Sequence, residues 1–133
     1  MKNYILLVIK IIVAVILIQT LYFKFSGSAE SVYIFEKLGI EPVGRIGSGI
    51  TELIASMLLF FDKTRFYAAI TAAGTMFVAI ISHLFVLGIE VMNDGGTLFI
   101  LAVITFILSS ILATNYISDL KKLKNKRINS FIK

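Results

Sequence analysis

The fold class this sequence predicts is an all-α membrane protein, a four-transmembrane-helix bundle with a short amphipathic helix in its first outer loop. Three observations predict it. Four apolar stretches, residues 4–25, 42–61, 66–87 and 98–117, fill most of a 133-residue chain. A helix rises about 1.5 Å per residue, so each stretch is about as long as the ~30 Å hydrocarbon core of a bilayer is thick. Hydrophobic residues make up 58% of the chain and the mean hydropathy is +0.93, which leaves too little polar surface to cover a soluble globule.

The elements follow in order. The first stretch opens after Lys2 and reads as a retained span rather than a cleaved leader, because it is long for a signal-peptide core. Lys24 and Phe25 also stand where cleavage would want small residues. The loop Ser26–Glu41 carries Ile34, Phe35 and Leu38 at helical spacing, with Glu30 and Lys37 off that face and Gly39 as a stop. Ser28–Leu38 is therefore expected as the amphipathic helix, lying on or dipping into the outer face. Pro42 opens the second span, since proline fits the first turn of a helix. In the third, Ala68, Ala69, Ala72, Ala73, Gly74 and Ala79 keep small residues at close-packing intervals, and Gly44 and Ser48 begin a similar run in the second. These two helices are expected to pack face to face. Asn93-Asp94-Gly95-Gly96 makes a turn before the fourth span. Tyr4, Tyr22, Tyr67 and Tyr116 fall near span ends, at headgroup level. The chain divides into a four-helix transmembrane domain, residues 1–120, and a basic cytoplasmic tail, residues 121–133.

Charge sets the expected orientation. Lys121, Lys122, Lys124, Lys126, Arg127 and Lys133 follow the last span, whereas the third loop holds only Glu90 and Asp94. Lys and Arg favour the cytoplasmic side, which puts both termini inside. A net charge of +5 concentrated beside the membrane points to anionic headgroups rather than nucleic acid. The chain has no cysteine, which excludes disulfides, thiol relays and thiolate-bound metals. It has no nucleotide-binding glycine motif and no His-Glu-x-x-His pattern.

Seven polar residues fall within or against the spans: Lys10, Gln19, Lys24, Arg45, Glu52, His83 and Asp94. Lys10 is placed to snorkel toward cytoplasmic phosphates. The other six lie in the outer half. Arg45, Ser48, Glu52 and Ser56 share one stripe of the second span. A carboxylate at the depth of Glu52, roughly 10 Å by helix rise, needs a partner, a proton or a cavity. Pairing with Arg45 or His83 would lock the bundle. The alternative is a polar pocket open to the outer face, in which Glu52 and His83 exchange protons while Gln19, Lys24, Arg45 and Asp94 bind a ligand. One imidazole and no thiolate cannot close a metal site within the chain, so no metal is expected.

The runs Leu21-Tyr22-Phe23-Lys24-Phe25-Ser26-Gly27 and Gly39-Ile40-Glu41-Pro42-Val43-Gly44-Arg45-Ile46-Gly47-Ser48-Gly49, with Glu52-Leu53, resemble the DoxX-like family of small four-helix membrane proteins. Ser82-His83-Leu84, Leu87-Gly88 and Asp94-Gly95-Gly96 extend the resemblance, which covers nearly the whole chain to about Ile117. It implies a four-helix bundle in the bacterial inner membrane. It also implies a link to redox chemistry, since the family takes its name from a subunit of a thiosulfate:quinone oxidoreductase. The function expected is an outward polar pocket serving a redox-linked complex through quinone or a small anion, with a redox partner subunit or a second copy of the chain as partner. Two other readings stay open: a non-catalytic assembly or stabilising subunit, and a small oligomeric transporter.

Overall fold

In the computed structural model, which describes residues 2–133, five helices run in the order α1 (Lys2–Ser26), α2 (Ala29–Lys37), α3 (Val43–Leu58), α4 (Arg65–Ser82) and α5 (Thr97–Ile132). A wider π-helical turn, His83–Leu87, prolongs α4. Three segments are long and apolar enough to cross a membrane: α1, α4 with its π turn, and α5. They bury only 22%, 22% and 28% of their most apolar windows, so most of their apolar side chains face outward, where lipid is the solvent that suits them. At 16 residues, α3 is only about 24 Å long, shorter than the stretch 42–61 predicts. It stops because the chain turns over Leu59–Thr64, where the Thr64 hydroxyl donates to the Leu58 carbonyl at 2.9 Å and satisfies one of the helix-end carbonyls.

Helix α2 lies where the loop pattern puts one. Ser28 caps it by accepting the Ser31 N–H at 3.2 Å, and Glu30 sits in its first turn. At the far end of the chain the helix runs on past the end expected for the span. The last span was expected to finish near residue 117, with a separate tail behind it. Instead α5 runs unbroken to Ile132, because from Thr97 onward there is neither Gly nor Pro and the tail is rich in helix formers.

The packing of the small residues also differs from expectation. Helix α4 packs most extensively on α5, and α3 on α1, with α3 against α4 only third. Ala68, Ala69 and Ala72 are buried with Leu112, Ala113 and Tyr116 of α5 and with Val13 and Leu17 of α1. On α3, Gly49 serves α1 rather than α4: a Cβ there would stand 2.9 Å from the Phe25 ring. Gly74 faces open space, with no packed side chain within 4 Å of where its Cβ would be.

The tyrosines divide. Tyr4, Tyr22 and Tyr67 are exposed, while Tyr116 is buried. Its ring lies under two cations, with the Arg65 guanidinium 4.2 Å from the centroid and Lys10 Nζ at 5.6 Å. Lys10 Nζ is also 5.7 Å from the Phe60 centroid, so the lysine sits among aromatic faces at the α4 start rather than simply extending to headgroups. Arg65 makes two bonds to Asp119 of α5, at 2.5 and 2.9 Å, and one to Asp62 at 3.2 Å. This clamp fixes the end of the bundle opposite α2.

Candidate functional site

At the α2 end the helices do not close on one another, and a cavity of about 810 Å³ remains, lined by residues of all five helices. Its walls are mostly apolar, from Ile16 and Leu17 of α1, Ile34 and Phe35 of α2, and Leu98 and Leu101 of α5. Gly44 and Ser48 of α3 and Gly74 and Thr75 of α4 also line it. The small residues expected to bring α3 and α4 together therefore leave space between them at this level. Gly74 and Val78, both lining, are exposed on the surface of the bundle, so the cavity reaches the apolar exterior there.

Of the six residues the sequence singles out, five line this cavity: Gln19, Lys24, Glu52, His83 and Asp94. Arg45 does not. Its guanidinium bonds Glu41 Oε1 through Nε at 2.8 Å and donates from Nη1 to the Lys24 carbonyl at the end of α1. A cation on the last carbonyls of a helix is favoured by their orphaned acceptors and by the helix dipole. Arg45 therefore ties the end of α1 to the start of α3.

The partner of Glu52 is neither Arg45 nor His83 but Lys24, whose Nζ donates to Oε1 at 2.6 Å. The lysine side chain is 16% exposed and the glutamate 3%. The Thr20 hydroxyl, one turn before Lys24 on the same face of α1, lies 3.2 Å from Oε2 and shares its single hydrogen between that oxygen and the Leu17 carbonyl at 2.7 Å. Sequence reasoning missed Thr20, although its i, i+4 spacing from Lys24 is a signal that it shares the stripe.

His83 is 5% exposed and opens the π turn. Its Nδ1–H donates to the Gly88 carbonyl at 2.9 Å, and the Gly88 N–H donates back to the His83 carbonyl at 2.7 Å. Gly88 closes this clasp at φ +81°, a left-handed conformation that costs glycine nothing. The Phe99 ring stands edge-on to the imidazole, 5.7 Å between centroids.

Asp94 holds the turn before α5. Its Oδ1 accepts the N–H groups of Val91 and Gly96, and its Oδ2 that of Leu98. Partial burial works against the charge, but these three bonds and the nearby His83 outweigh it and hold the carboxyl below the ordinary aspartate range. Glu30, also missed in the sequence, lines the cavity from α2. Desolvation, and then the charge of Asp94, push its carboxyl above the usual value. Gln19 is exposed at the rim. Among the described residues no three His, Asp or Glu side chains come together as a metal site would need.

Apolar helices facing outward around a buried ion pair and a mostly apolar cavity define a helical membrane protein with an internal ligand-sized chamber. The family profile of DoxX matches residues 5–88. The chain belongs to the DoxX family. The match takes in α1 to α4 and the π turn, so Asp94-Gly95-Gly96 and α5 lie beyond it. No curated protein and no solved structure gives a significant match.

Proposed function

We propose that this DoxX-family protein binds a lipophilic ligand with a compact polar head, of the quinone type, in the cavity beneath α2, and through it serves a redox-linked complex. The observation that carries the reading is the meeting of the Lys24–Glu52 pair and His83 inside an apolar chamber that reaches the exterior at Gly74 and Val78. A tail would lie among Ile16, Ile34 and Leu101 while the head meets the polar groups. Glu52 and His83 are the proton-exchanging residues of this reading, and Gln19, Lys24 and Asp94 flank them. Arg45 acts on the ligand only indirectly, by fixing the end of α1. The redox link itself rests on family membership.

Gly74→Leu tests the site. The new side chain enters open space and leaves Lys24 and Glu52 untouched. The expected outcome is normal folding with at least tenfold weaker binding of a short-chain benzoquinol, kept reduced and measured by equilibrium titration of the purified protein. Undiminished binding would place the site elsewhere.

We also propose that α3, with its flanking turns, is a fourth span, that the membrane is a bacterial inner membrane and that both termini face the cytoplasm. The cavity then opens toward the outer side. The support is the excess of Lys and Arg after Ile117 and their lack between Gly88 and Gly96. A reporter active only outside the cytoplasm is expected to work when fused at Asn93 and to stay silent at Lys133. The reverse pattern would overturn the orientation.

A further inference from the structure

The hydrogen-bond inventory of the cavity narrows the ligand beyond its shape. The charged groups on its walls are Lys24, Glu30, Glu52 and Asp94, with His83 as the titratable neighbour. Lys24 is the one basic side chain among the described residues lining it, and it is already bonded to Glu52 at 2.6 Å. Glu30 and Asp94 add negative charge without a lining cation to offset it. A small anion would therefore enter a chamber whose single cation is engaged and whose remaining charges repel it.

His83 supplies the positive side of the argument. A carbonyl oxygen can only accept, so the bond to Gly88 puts the ring hydrogen on Nδ1. In the neutral imidazole Nε2 then carries a lone pair, and it has no hydrogen-bond partner among the described residues. The π turn and the edge-on Phe99 ring restrain the imidazole in this orientation. The hydroxyls of Ser48, Thr75 and Ser82 donate to carbonyls of their own helices, so none of the three supplies a hydrogen to Nε2.

We infer that the cavity selects an uncharged lipophile bearing an O–H group, a phenol or alcohol, which donates its hydrogen bond to His83 Nε2, and that it rejects anions of the same size. This rests on the proposed ligand-binding role of the cavity and specifies its chemistry. Three probes separate the possibilities: 4-nonylphenol, its methyl ether and 4-nonylbenzoate. The chain has a single histidine, so ring-¹⁵N histidine labelling reports one imidazole and its tautomer.

The expected result has three parts. The ligand-free ring shows the Nδ1–H tautomer, and the phenol alone shifts the Nε2 signal. The phenol also binds at least tenfold more tightly than the ether, or about 1.4 kcal/mol, and His83→Phe erases that preference while both still bind. An Nε2–H tautomer without ligand, or equal binding of phenol and ether with no Nε2 shift, would overturn the inference while leaving the cavity as a lipophile site. Tightest binding of the benzoate would overturn it in favour of an anion site. If none of the three binds, the ligand-binding role fails and the inference with it. The ring signals come from the unaltered protein, so the test survives should His83→Phe not fold.

Discussion

Lys24→Met is expected to cost the fold about 3–5 kcal/mol, the usual penalty for removing one partner of a buried ion pair. The reason is what remains: Glu52, 3% exposed, would keep only the Thr20 hydroxyl at 3.2 Å and would have to take up a proton or stay charged in an apolar wall. Glu52→Gln in the same chain removes that stranded charge. The double variant is therefore expected to recover most of the loss, and reversible unfolding of the four proteins of the cycle in mixed detergent measures it. If the two substitutions prove simply additive, Lys24 and Glu52 are not coupled and the pairing is wrong. Binding read alongside stability shows whether the pair also serves the ligand.

The second large effect lies at the opposite end. Arg65→Met would break both bonds to Asp119 and the bond to Asp62, and would remove the guanidinium from the Tyr116 face. Bidentate, charge-assisted bonds are the strong ones, and partial exposure of the arginine tempers the loss to about 2–3 kcal/mol. Arg65→Lys should recover only part of it, because an ammonium cannot bond both carboxylate oxygens in the same plane. A lysine variant as stable as the parent in the same unfolding assay would show that the geometry contributes nothing. Ligand binding at the α2 end should be unchanged in either variant.

What the sequence made legible was whatever the bilayer itself dictates. Apolar stretch length located α1, α4 and the start of α5, and helical spacing with Ser28 located α2. The five cavity-lining residues were also readable, since a polar group in an apolar span needs an interior face. Their partners were not. Arg45 and Glu52 do share a stripe, but seven residues separate them by roughly 10 Å along the axis. Each is better served by α1, Arg45 by the Lys24 carbonyl near its end and Glu52 by the Lys24 side chain. Which helix stands beside which depends on the rotation and neighbours of every span, and one sequence does not encode these locally. The same blindness hid the Arg65–Asp119 clamp, whose members are 54 residues apart. The unbroken course of α5 went unread, although neither Gly nor Pro follows Gly96 to stop it.

That unbroken course changes how the basic residues act on a membrane. A flexible tail would let Lys121 through Lys133 settle together on anionic headgroups, each adding its own attraction. A rigid rod standing upright carries Lys133 about 24 Å beyond Ile117, past two screening lengths in physiological salt. With the lipid surface at Ile117, Lys121 and Lys122 would stay within reach of it, while Lys126, Arg127 and Lys133 would address the solution above. In that placement the helix would sort one run of like charges by height, its lower part beside the lipid and its upper part a positively charged mast.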